Sequence, residues 1–139
     1  MTPKDKSKDC NVLVQLSYPT GYTFGIMSVT YSAVSHLYPE LSAGISSTYV
    51  IRSGLVDGAA VSQSWRYSGT GGADERVIRD FTIPERERVV AACGADRAEL
   101  RVNTRVSLTS SSSKVWGTID DGPGFMLRIQ QVHLGWAAC

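Results

Sequence analysis

Residues 99–108 read Glu99-Leu100-Arg101-Val102-Asn103-Thr104-Arg105-Val106-Ser107-Leu108, and their periodicity decides the fold. Leu100, Val102, Val106 and Leu108 fall in one phase, while Glu99, Arg101, Asn103 and Arg105 fall in the other. A period of two sends successive side chains to opposite faces of an extended chain. The stretch therefore predicts a strand with one face on a core and one in water. A helix would scatter the same apolar residues around its axis.

The pattern recurs on both sides. Towards the amino terminus, 76–83 places Val77, Phe81 and Ile83 in phase, and 60–67 sets Val61, Trp65 and Tyr67 against Ser62, Ser64 and Arg66. Residues 45–52 alternate through Tyr49 and Ile51. In 22–34 the set Tyr22, Phe24, Ile26 gives way to Val29, Tyr31, Ala33, and a slip of one near Gly25-Met27 predicts a β-bulge. Residues 11–18 put Val12, Val14, Leu16 and Tyr18 on one face, a half-buried strand. Towards the carboxyl terminus, strands are expected at 115–119 and 125–136, separated by the turn Asp120-Asp121-Gly122-Pro123-Gly124. Phe125, Leu127 and Ile129 are in phase, Val132, Leu134 and Trp136 in the opposite one, which predicts a second bulge at Gln130-Gln131. Phe24 and Trp136 are read as core.

Pro19-Thr20-Gly21 and the run from Ser53-Gly54 to Asp57-Gly58 read as turns, 110–114 as a loop, and Ser68-Gly69-Thr70-Gly71-Gly72 as a mobile hairpin loop. The last lacks the Lys-Ser/Thr and the helix that a phosphate cradle needs. Pro84 to Arg88 predicts one helical turn, and Gly, Ser, Thr and β-branched residues disfavour helix elsewhere. Seven to eight short strands with regular turn signals predict an all-β, antiparallel β-sandwich of Greek-key/Ig-like or jelly-roll-like form.

A chain of 139 residues is one domain's worth, here 10–139 behind a polar leader at 1–9. Hydrophobic residues make up 42%, too many for disorder. No run approaches the about 20 apolar residues of a membrane span. A net charge of +1 disfavours nucleic acid, whose phosphates demand a basic excess. The leader has no apolar stretch of the kind a signal peptide carries, so the expectation is that an upstream segment has been removed.

Three cysteines stand at 10, 93 and 139, with no CxxC pair and no histidine at zinc-site spacing. Cys139 follows an apolar strand and is placed to tie it down. A Cys93–Cys139 bond closes a loop of about 45 residues, worth ~4 kcal/mol on the chain-entropy model. Cys10 is then left over, either unpaired or bonded to another chain, and the pattern points to an oxidising, extracellular compartment.

Catalytic constellations are weak. A Ser/His/Asp set would have to be assembled from scattered serines, His36 or His133, and Asp57 or Asp80, without a GxSxG elbow. His133, out of phase with Val132 and Leu134, reads as a sheet-surface residue. No catalytic residue is assigned and no cofactor is expected. Asp120 and Asp121 are the best carboxylate pair, with oxygen donors that suit calcium, although adjacent acids before glycine are also ordinary turn formers. Trp65 and Tyr67, at the mouth of the 68–72 loop, together with Tyr22, form the candidate ligand-contact set, since such rings stack on sugars or anchor a protein. Core packing is the competing role for each.

Several stretches read together: Lys8-Asp9-Cys10-Asn11, Tyr18-Pro19-Thr20-Gly21-Tyr22, Ser64-Trp65, Cys93-Gly94, Val102-Asn103-Thr104, Asp121-Gly122 and Trp136-Ala137-Ala138-Cys139. In order and spacing they resemble the secreted family catalogued as domain of unknown function 4360, found in fungi and bacteria. That family shows a Lys-Asn-Cys start, Pro-Gln-Gly-Phe, a Cys-Gly before an Asn-Ile-Asn-Thr strand, an Asp-Gly turn and a terminal Trp-x-x-Cys. This chain departs with Asp9 for Asn and Thr20 for Gln. The resemblance implies secretion and disulfides but no activity. It also implies a missing amino-terminal portion with a further cysteine, so that one or two strands are absent or come from another chain.

The expected function is a secreted, non-enzymatic module that binds a cell-surface glycan or protein. The alternative is a self-assembling extracellular structural protein, a homo-oligomer joined through Cys10 or an edge strand. A secreted hydrolase ranks last.

Overall fold

The structure is a computed structural model that describes residues 5–53, 56–71, 75–112, 119 and 124–139. Seven strands appear in it: β1 (Asp5–Ser17), β2 (Tyr22–Ser35), β3 (Leu41–Ser53), β4 (Val56–Ser68), β5 (Glu75–Thr82), β6 (Arg97–Ser110) and β7 (Phe125–Ala138). A 3-10 turn at Glu85–Glu87, capped by Pro84, is where the helical turn was expected. The strands form an all-β sandwich of two antiparallel sheets, ordered β1-β6-β3-β4 and β5-β2-β7.

β6 alternates as its sequence predicts and sits in the interior of the larger sheet. Ala98, Leu100, Val102, Thr104, Val106 and Leu108 are all buried, and the strand is paired with β1 on one side and β3 on the other. On β3 the buried phase is Leu41, Ala43, Ile45, Ser47, Tyr49, Ile51 and Ser53. Opposite them, β2 contributes Phe24, Ile26, Val29, Tyr31 and Ala33. The bulge foreseen near Gly25-Met27 is present, with Ile26 opposite Leu134 and Ser28 opposite His133, so Met27 is the extra residue.

Three expectations need correction. The second bulge lies at Arg128 rather than Gln130-Gln131, because Ser32 pairs with Ile129 and Ala33 with Leu127. The shift turns Gln130 inward and leaves Ile129 exposed. Residues 5–9 are strand, since Asp5 through Asp9 pair with Thr109 through Arg105. Polar side chains suit that stretch because β1 is a sheet edge, and Asp9 bonds Arg105 across the pair at 3.0 Å. The 68–72 loop is tied down as far as it is described. The Gly69 N–H donates to Leu41 O and the Gly71 N–H to Leu37 O, each at 2.9 Å. Of the strand expected at 115–119, only Ile119 is described, bridged to Phe125.

Candidate functional site

Two layers of unequal width leave part of the molecule uncovered. Across the interlayer space Tyr31 on β2 meets Tyr49 on β3, and Gln130 on β7 meets Thr104 on β6. At the far side Arg79 on β5 lies 5.7 Å from the ring of Trp65 on β4. Three strands thus cover three, and β1 projects beyond β7. Val12 and Val14 occupy the same inward phase as the buried residues of β6, yet they are 46% and 38% exposed. An apolar side chain pair facing the core side of a sheet with water above it is the unusual observation here.

The uncovered strip is the floor of a groove of about 330 Å³, lined by Val12, Val14 and Leu16 of β1, Leu100 and Val102 of β6, and Gln130, Val132 and Leu134 of β7. It continues along β1 past Cys10 and Lys8 into a second hollow of about 490 Å³ bordered by Ile119, Leu127 and Arg128. Cys10 shares the phase of Val12 and Val14, is exposed, and has a free thiol. Trp136, two residues beyond Leu134 in the same phase, is 53% exposed rather than core, although its ring packs against Phe24 at 5.1 Å. It lies at the end of β7, where no described strand covers its outer side.

Behind the groove wall runs a buried polar network. The Gln130 amide donates to the Ser47 and Tyr49 hydroxyls and accepts from Thr104, while Thr104 and Ser47 are 2.9 Å apart. The Tyr31 and Tyr49 hydroxyls are 2.7 Å apart, and Tyr31 also donates to Gln63. Desolvation by burial pushes the Tyr31 phenol far above its ordinary range. The network engages both N–H donors of the Gln130 amide and one acceptor position of its oxygen, so the amide is held within the network rather than offered to the groove.

The residues singled out from the sequence are not gathered together. Trp65 is 7% exposed, with its ring against Tyr31 at 5.6 Å and Phe125 at 6.4 Å, so it is core and has no face for a sugar. Tyr67 is half-buried and donates its hydroxyl to Glu75. That bond raises the Tyr67 pKa, and bonds from Thr70 and Tyr67 hold Glu75 below the usual carboxylate range. Tyr22 is exposed but stands opposite Ala138, at the other end of β2 from Phe125, which Tyr67 touches. Asp120 and Asp121 lie outside the described residues. Among the described residues no cluster of three His, Cys, Asp or Glu offers a metal site. Asp80 and His133 do meet, around Thr30 rather than a serine. Thr30 donates to Asp80 at 2.7 Å and lies 3.4 Å from His133 Nε2, on the solvent face of the sheet.

The Cys93–Cys139 disulfide is formed, with a Cα–Cα distance of 5.9 Å. No helix among the described residues is long and apolar enough to cross a membrane.

A family model described as domain of unknown function (DUF4360) matches residues 1–139. An uncharacterized secreted protein of Arthroderma benhamiae is 27% identical over 136 residues. That match covers 98% of this chain and 53% of the relative, so the chain spans about half the relative's length. That relative's description and the disulfide fit an extracellular location. Among solved structures, infectious bursal disease virus of the Gx strain covers 80% of this chain and 34% of its own, at 14% identity and a TM-score of 0.29. The Gt strain covers 96% and 42%, at 14% identity and a TM-score of 0.30.

Proposed function

The chain belongs to the family described as domain of unknown function (DUF4360), and from that footing we propose that it is an extracellular, non-enzymatic module that binds a protein partner on the open groove of β1, β6 and β7. The observation that carries this reading is the exposure of Val12 and Val14 on the inner face of β1. Apolar surface left facing water beside a core is retained at a cost in solubility, and covering it on association recovers roughly 25 cal/mol per Å² of apolar area. A glycan is the poorer fit, because Trp65 is covered and the groove's amide is already engaged.

The test compares the wild-type chain with a Val12→Lys/Val14→Arg double variant in binding to secreted protein fractions and to insoluble cell-wall polysaccharide. Both positions are exposed, so the variant is expected to fold. Loss of protein binding in the variant supports the reading. Sedimentation with polysaccharide that is indifferent to both substitutions refutes it. The exposed thiol of Cys10 favours a second reading, assembly through an intermolecular disulfide. A dimer band on a non-reducing gel that vanishes in Cys10→Ser would support that one.

A further inference from the structure

We infer that the groove seats a single extended strand of a partner protein, apolar at alternate positions, which pairs with the outer edge of β7 and lies over β1. This rests on the groove being the binding surface and adds what enters it.

The width of the gap sets the first constraint. With β7 over β6 and β2 over β3, the smaller sheet stops one strand short of β1. One strand occupies about 4.8 Å of sheet, so the lane beside β7, which no described strand fills, holds one chain and not a pair. The edge supplies the second constraint. Among the described residues β7 is paired on one side with β2, and on the other only Phe125 is bridged, to Ile119. Among the described residues its other outer N–H and C=O groups have no strand partner, the arrangement that an added strand satisfies. The bulge at Arg128 interrupts regular pairing, so the usable edge runs from Ile129 to Trp136, about eight residues or ~26 Å.

The floor fixes the chemistry. Val12, Val14, Leu100 and Val102 offer aliphatic contacts only, so the occupant is apolar at every second residue, with its other side chains in water. A second copy of this chain is a poor occupant. Pairing two β7 edges antiparallel would drive each projecting β1 into the space of the other, because both overhang by a strand's width.

Amide hydrogen exchange on the 139-residue chain tests this with a synthetic peptide of about nine residues, alternating Thr and Val. The peptide is expected to slow exchange of β7 edge amides between 129 and 136 by about tenfold or more. A version N-methylated at alternate residues, and the Val14→Arg chain, are each expected to abolish that protection. Binding of the plain and methylated peptides with equal affinity overturns strand pairing but leaves the groove as the surface. Binding unaffected by Val14→Arg overturns the groove reading itself. A dimer whose 129–136 amides are protected without peptide shows that a second copy fills the lane, and also overturns the inference.

Discussion

Thr104, Ser47 and Gln130 are three polar side chains in positions that strand periodicity reserves for apolar ones. Thr104 follows Leu100 and Val102 in the inward phase of β6, and Ser47 stands between Ile45 and Tyr49 on β3. Thr104 and Ser47 stand in apolar phases of the sequence, whereas Gln130 falls where the sequence predicts a bulge, and the partners of all three were not legible. The hydrogen bonds that satisfy them come from strands 57 and 26 residues away, and Gln130 faces inward only because the bulge falls at Arg128. Buried polar groups cost little when fully paired and much when one partner is removed. Tyr49→Phe deletes the hydroxyl that links Tyr31 to Gln130 and leaves one Gln130 N–H without its acceptor. The expected loss is roughly 1–2 kcal/mol, read as a lower urea midpoint at unchanged slope. Tyr22→Phe, at an exposed ring, serves as the control and should not move the midpoint. An unchanged midpoint for Tyr49→Phe would mean that the network contributes nothing to stability.

At the scale of single elements, strand existence was legible and strand environment was not. Alternation located every one of the seven strands, because half-buried sheets impose it. It gave no warning that β1 would lie at an edge without a layer above it, since Val12 and Val14 alternate as faithfully as Val102 and Val106. Composition misled at the 68–72 loop, where serine and glycine suggest mobility. Gly69 is there for close approach instead. A Cβ at that position would lie 2.1 Å from the Tyr38 carbonyl oxygen and 2.7 Å from that of Leu37, both backbone atoms with little room to yield. The close contact is what lets the Gly69 and Gly71 amides reach Leu41 and Leu37 and clamp the end of β4 to the β2–β3 connection. Gly69→Ala is therefore expected to cost roughly 1–3 kcal/mol and to speed amide exchange at 69 and 71. Ser68→Ala, one residue away and exposed, should do neither. Equal stability of the two variants would show that the connection shifts freely.

For the whole molecule, the layer order could not be read from the chain because five of the six connections between the described strands pass from one sheet to the other. Only β3 and β4 are sequence neighbours that pair, whereas β1 meets β6 across most of the chain's length. Cysteine placement was the exception, since a terminal cysteine after an apolar strand has few alternatives to a strand-anchoring bond. The bond joins the end of β7 to the segment after the 3-10 turn, which crosses between the layers. In that segment Ala91 N–H donates to Phe24 O on the smaller sheet, and Ala92 N–H donates to the Ser53 hydroxyl on the larger one. The cross-link therefore holds both sheets at the end where Cys139 N–H also bonds Gly21. Its partners are 46 residues apart, so replacing both by serine is expected to remove about 4 kcal/mol, a large share of the stability of a domain this size. The loss should show first at that end, as faster exchange in residues 89–92 and 136–139, before global unfolding. Cys10→Ser, whose thiol is unpaired within the chain, should leave the midpoint where it was. Should the double serine variant unfold at the wild-type denaturant concentration, the crossover would have to be held by its backbone bonds alone, and a sandwich open along β1 would owe its closure to packing rather than to the covalent tie.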